Sequence, residues 1–179
     1  MSTRVRYFTG QVLGVADFET EQRYFIERLR RRNRWLHGWG IVGGLQVAPG
    51  KTAHEVVVSP GFAIDCLGND IEVEEATRWP LPDAGRACYL TITFAERAGV
   101  PATTYADAAA GDAESVAYSR VEEGWDLAYA TEDPARGHVG SPRRPEPCGR
   151  PHAIPLARLV RTGFRWRLDP RFRPGRVRG

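Results

Sequence analysis

From position 15 to 36 the apolar residues fall at helical intervals. Val15, Phe18, Phe25, Leu29 and Leu36 recur three, four and seven apart, with Gln22 on the same line, Ile26 beside it, and charged positions on most of the remaining surface. This pattern predicts an amphipathic helix over about residues 17–36. Asp17 can serve as its N-cap, and Glu19 and Glu21 place negative charge in the first turn. Arg28, Arg30, Arg31, Arg32 and Arg34 place positive charge near the last turn, so both ends suit the helix dipole. His37-Gly38 is the stop signal, because glycine takes the left-handed conformation of a helix C′ position without a Cβ clash.

After the helix the apolar period shortens to two. The runs "IVGGLQVA", "HEVVVSPG", "FAIDCLGNDIEVEE" and "ACYLTITFAE" are β-branched or aromatic and are bounded by Gly, Pro, Asn and Asp. They read as short antiparallel strands, with Phe62 to Val73 a hairpin turning at Leu67-Gly68-Asn69-Asp70. "SRVEEGWDLAYATE" resumes as a strand, kinked or bulged at Gly124, and "HAIPLARLV" with "FRWRLD" forms a closing pair around Thr162-Gly163. Two stretches break the pattern. Residues 98–115 are small and polar without period, and residues 133–151 are rich in proline. The expected fold is therefore α+β. A single domain over 1–170 has the N-terminal helix packed on a mainly antiparallel β-sheet or sandwich. Strands lie at about 40–95, 116–131 and 153–169, long loops at about 98–115 and 133–151, and a tail at 171–179.

Composition changes this picture little. The chain of 179 residues is 42% apolar, enough for one domain with a core. Its formal net charge of +3, from 25 basic and 22 acidic residues, lacks the surplus of a dedicated polyanion binder. Neither an N-terminal apolar leader nor the ~18 to 20 apolar residues of a membrane span is visible, so the expected location is the cytoplasm. Cys66, Cys88 and Cys148 are an odd, scattered set, which argues against a disulfide framework.

Candidate chemistry is sparse. No Ser, Cys or Thr sits in a nucleophile elbow or beside a motif-placed histidine, so no catalytic residue is assigned and no enzyme is expected. Asp65, Asp70, Glu72, Glu74 and Glu75 around the hairpin read as a solvated strand face. Cys148 and His152 have a C-x3-H spacing that offers two zinc ligands, with Cys66 or Cys88 as a third. No C-x2-C pair exists, Cys66 and Cys88 lie in apolar strand contexts where a cysteine acts as a small hydrophobe, and neither metal nor cofactor is expected. His37 reads as a residue satisfying the helix-end carbonyls. Arg28, Arg31 and Arg32 lie on two sides of the helix and share it with Glu19, Glu21 and Glu27, an arrangement unlike a phosphate-tracking face. Bridging to carboxylates of another subunit suits their bidentate forks better.

Several blocks carry a resemblance. "YFTGQVLGVADFETEQRYFIERLRRRNRWLHGWGIVGGLQV", "VVVSPGFAIDCLGNDIEV", "YSRVEEGWDLAY", "IPLARLV" and "FRWRLD" together resemble a small baseplate- or tail-associated family. Its genes lie among those of phage-tail-like, extracellular contractile injection systems. "NRWLHGWGIVGGL" and "PGFAIDCLGNDI" are the specific parts, and the second is also similar to strand–turn–strand segments of phage baseplate and tail-fibre proteins. Relatives often carry a cysteine-rich loop before the last strands. Here only Cys148 stands in that place, which counts further against a metal.

The resemblance implies a structural component of a contractile injection particle, at or near the baseplate. It would act in an oligomeric assembly with other particle subunits, without nucleic acid or a membrane span. The expected interface residues are Phe18, Phe25, Arg28, Leu29, Arg31, Arg32, Trp35 and Trp39, aromatic and arginine types that anchor interfaces. A surface receptor- or glycan-binding module of such a particle is the alternative, resting on the two loops and Tyr105. A nucleic-acid-binding protein is a weaker third reading.

Overall fold

The computed structural model describes residues 3–102, 117–134, 136, 148 and 152–177. Helix α1 spans Val15–Leu36, followed by β1 (Gly40–Gly44), β2 (Val47–Pro49), β3 (Glu55–Val58), β4 (Gly61–Ile64), β5 (Asp70–Val73) and β6 (Thr77–Pro80). The longer strands come next. These are β7 (Ala87–Ala98), the short pair β8 (Pro101–Ala102) and β9 (Ala117–Tyr118), β10 (Val121–Ala130), β11 (Ile154–Thr162) and β12 (Arg165–Leu168). The class is α+β, as the periodicities predict.

The strands form antiparallel sheets ordered β1-β4-β5, β2-β3-β6 and β10-β7-β11-β12, with β8-β9 apart. Their inward residues meet in one apolar cluster. Ile41, Ala63, Ile71 and Val73 come from the first sheet and Val56 and Val58 from the second. Leu90, Ile92, Leu127, Ile154, Leu156 and Leu159 come from the third. Alternation produces this arrangement: along β5 the order is exposed, buried, exposed, buried, so Ile71 and Val73 share the inner face while Asp70 and Glu72 face out. Thr91, buried in the central strand β7, is satisfied by donating to the Ala128 carbonyl at 3.1 Å.

Several expectations need correcting. The helix begins two residues earlier than predicted, with Gly14 as N-cap, and Asp17 sits in the first turn, where its carboxylate accepts the Gly14 N–H at 2.9 Å. An acidic group at this third position satisfies the N-cap amide from inside the helix. The hairpin turn is Asp65–Asn69, and Asp70 pairs with Ile64 as the first residue of β5. Gly124 makes no bulge: β10 pairs with β7 in unbroken register, Gly124 opposite Ala95. A Cβ on Gly124 would come 2.8 Å from the Arg97 guanidinium, so the glycine leaves room for that side chain across the sheet. The irregularity falls instead between Pro155 and Ala157 of β11, where proline has no N–H to give the ladder.

Position 98 continues β7, and β8 pairs with β9, so the base of the first predicted loop is a strand pair; the rest of that loop, including Tyr105, lies outside the described residues. Most of the second loop also lies outside them. The reading of 171–179 as a tail misses a pairing. The Ile41 N–H donates to the Gly175 carbonyl at 2.9 Å and the Val177 N–H to the Ile41 carbonyl at 3.1 Å. Gly40 permits this approach: its φ is +131°, and a Cβ there would stand 2.7 Å from the Gly175 carbonyl oxygen.

Candidate functional site

Helix α1 does not pack on the sheet through its apolar stripe. None of its residues is buried, and Phe18, Phe25 and Leu29 are each more than half exposed. The expected packing fails because the helix is fastened along a different line. Asn33 donates through its side-chain amide to the Gly68 carbonyl at 2.9 Å and to the Asp70 carboxylate at 2.7 Å. The Arg34 guanidinium donates to the Leu67 carbonyl, and Arg30 approaches Glu96 at 3.4 Å. Asn33, Arg34 and Arg30 point one way, and Phe18, Phe25, Leu29 and Leu36 point beside them toward open surface. At the other end the Tyr7 hydroxyl donates to Glu21, which brings the N-terminal segment back along the helix.

The dock depends on the turn between β4 and β5. Asp65 is fully buried, and its carboxylate accepts the N–H of Leu67 at 2.8 Å, the N–H of Asn69 at 2.9 Å and the Asn69 side-chain amide at 2.7 Å. This holds the Leu67 and Gly68 carbonyls toward the helix. Gly68 has φ +89°, and a Cβ there would lie 2.8 Å from the Arg30 Cα. Gly68→Ala is therefore expected to push the last turns of α1 off the dock, read as faster amide exchange over residues 30–36 with the β7 amides unchanged. Burial lowers the pKa of Arg34, and the nearby Arg31 adds to the effect. Desolvation raises Asp70 above the usual carboxylate value while the Asn33 amide draws it back.

The predicted interface residues divide. Phe18, Phe25, Leu29, Arg28, Arg31 and Arg32 are exposed on α1, and Arg28 reaches Tyr24 at 3.3 Å. Trp35 is exposed too, at 64%. Trp39 is half-buried, and a Cβ on Gly175 would sit 3.8 Å from its ring, so part of it serves the chain's own C-terminal segment. The backbone N–H of His37 closes on the Asn33 carbonyl at 2.9 Å while its side chain is exposed, and Gly38 follows with φ +75° as the stop signal predicts.

The acidic residues predicted as a solvated strand face split: Glu72, Glu74 and Glu75 are exposed, whereas Asp65 is the buried organiser of the turn. Sequence reading missed that role. The signal was the D-x-x-x-N spacing of a short polar residue bonding its own turn, Asp65 to Asn69. A second group comes together in the structure. Cys66, Cys148 and His152 place their ligand atoms within 4.8 Å of one another, with the Cys66 Sγ 3.4 Å from His152 Nδ1. Both sulfurs are buried, and burial pushes the Cys66 thiol up to about 12. Cys88 is buried in β7 and is not part of the group.

No family model matches the chain, and no curated protein does. Solved structures do. A TssK–TssF–TssG baseplate subcomplex of the type VI secretion system superposes with a TM-score of 0.56 and 15% identity, over 97% of this chain and 62% of that one. The type VI baseplate complex gives 0.55 and 16%, over 97% of this chain and 60% of its own. A crystal structure of TssK gives 0.54 and 13%, over 97% and 42%. This chain thus spans between 42% and 62% of the length of those proteins, and the likeness is one of fold.

Proposed function

We propose that this protein is a structural component of a contractile injection machine, positioned at or near the baseplate and acting through protein–protein interfaces. The observation that carries the reading is the outer face of α1. A long helix holds its apolar stripe away from its own core and is fastened by polar bonds that leave the stripe open. Burying the exposed halves of Phe18, Phe25, Leu29 and Trp35 against a partner would contribute roughly 1 kcal/mol apiece. Flanking Arg28, Arg31 and Arg32 suit carboxylates at the rim of such a contact. The fold likeness to baseplate proteins, and the TssF and TssG subunits found with one of them, support baseplate subunits as partners here. The protein works within the assembled particle in the cytoplasm, with no catalytic role. Among the described residues no helix is long and apolar enough to cross a membrane, which accords with this placement.

The test is a variant carrying Phe25→Ala, Leu29→Ala and Trp35→Ala. Its unfolding free energy is expected to change by less than ~1 kcal/mol, as for exposed positions, while its recovery in sedimented particles from the producing cells is lost. Wild-type recovery of this variant would refute the α1 face as an assembly surface.

A further inference from the structure

We propose that Cys66, Cys148 and His152 form a zinc site that ties Cys148 to the β4–β5 turn and to His152 just ahead of β11. Cys66 stands 86 residues from His152 in the chain, and its ligand atom nevertheless converges with those of Cys148 and His152 within 4.8 Å. In a tetrahedral zinc site, with Zn–S about 2.3 Å and Zn–N about 2.0 to 2.1 Å, neighbouring donors stand roughly 3.5 to 3.8 Å apart. The 3.4 Å between the Cys66 Sγ and His152 Nδ1 is already close to that edge, so small movements of side chains suffice.

Two thiolates and one imidazole are a soft to borderline set, which selects zinc over calcium or magnesium. The Asp65 carboxylate next to Cys66 is taken up by Leu67 and Asn69 and does not compete as a ligand. Three protein donors leave a fourth position. A water would complete the tetrahedral set there. On binding, two S–Zn bonds and one N–Zn bond form, and the two thiol protons leave to the buffer.

The consequence lies in the position of Cys66. It is in the turn whose following residues, Leu67 and Gly68, give α1 its dock, so a metal tying this turn to residues 148 and 152 stiffens the base of the helix. A clip between residues 66 and 148 closes a long stretch of chain, the kind of cross-link whose entropic effect is largest. Sequence spacing could not show this, because only the C-x3-H half is local.

The experiment uses the full chain, reduced and then incubated with zinc alone, with unbound metal removed by gel filtration. One zinc per chain is expected by elemental analysis. Cobalt is expected to give a thiolate charge-transfer band with the d–d bands of a tetrahedral ion, and zinc to protect two of the three thiols from a thiol reagent. Cys148→Ser and His152→Gln should each lose stoichiometric retention, while Cys88→Ala keeps it. His152→Gln, at a half-buried position just outside β11, keeps the test valid if Cys148→Ser fails to fold. Absence of retained zinc in the wild type, or retention unaffected by both ligand variants, overturns the proposal. So does a Cys66–Cys148 disulfide found by mass in the protein as isolated.

Discussion

Leu90→Ala is expected to destabilise the protein by about 3 to 5 kcal/mol, a large share of the roughly 5 to 15 kcal/mol that hold a domain folded. Leu90 is fully buried in β7, the strand hydrogen-bonded to both β10 and β11, and it belongs to the cluster that joins the three larger sheets. Truncation there removes the transfer free energy of the side chain and leaves a cavity walled by strands paired on both sides, which cannot collapse into it. Urea unfolding of the wild type and variant measures the loss. The midpoint should fall with an unchanged slope, because the fold being unfolded is the same. Leu29→Ala is the contrasting control. The same chemical change on the open face of α1 should move the midpoint little, and a cost equal to that of Leu90→Ala would show that the helix stripe is core after all.

Asp65→Ala is expected to cost about 3 kcal/mol or more, because one truncation leaves three donors without their acceptor in a buried turn. Hydrogen bonds to a charged acceptor are the stronger kind, and the Asn69 amide, itself buried, has little access to water to compensate. The effect should extend beyond the turn. Once the Leu67 and Gly68 carbonyls are no longer held toward the helix, Asn33 and Arg34 lose their partners, so amide exchange over the last turns of α1 should rise together with that of residues 65–70. Asp65→Asn is expected to cost less. Its remaining carbonyl oxygen keeps the backbone donors, and Asn69, whose Oδ1 is buried without a partner among the described residues, can turn that oxygen toward the new amide. Equal costs for the two variants would show that the charge, and not the count of satisfied donors, holds the turn.

Local features of this chain could be read without its structure because they are encoded within a few residues. The stripe from Val15 to Leu36 repeats every three or four positions, and Gly38 ends it; the runs "EVVV" and "DIEV" alternate or bury as strands must; Thr162-Gly163 closes the last pair. Each of these reflects a backbone period or a turn requirement that neighbouring residues satisfy by themselves. The reading failed wherever a side chain's role depended on residues distant in sequence. Gly124 has the local look of a bulge, but Arg97, across the sheet, occupies the space it leaves.

The sequence by itself determined an amphipathic helix ahead of a set of short antiparallel strands, and an aromatic and arginine-rich face on that helix. Only the tertiary structure decided which way the face points. The amphipathic period is identical whether the stripe meets the chain's own sheet or a partner; the polar dock of Asn33 and Arg34 on the Asp65–Asn69 turn settles that it lies open. The tertiary structure likewise brought residues 175–177 onto β1 and His152 and Cys148 beside Cys66. These contacts close long loops, and loop closure is driven by the summed burial and pairing of the whole fold, which leaves no periodic trace in the segments it joins.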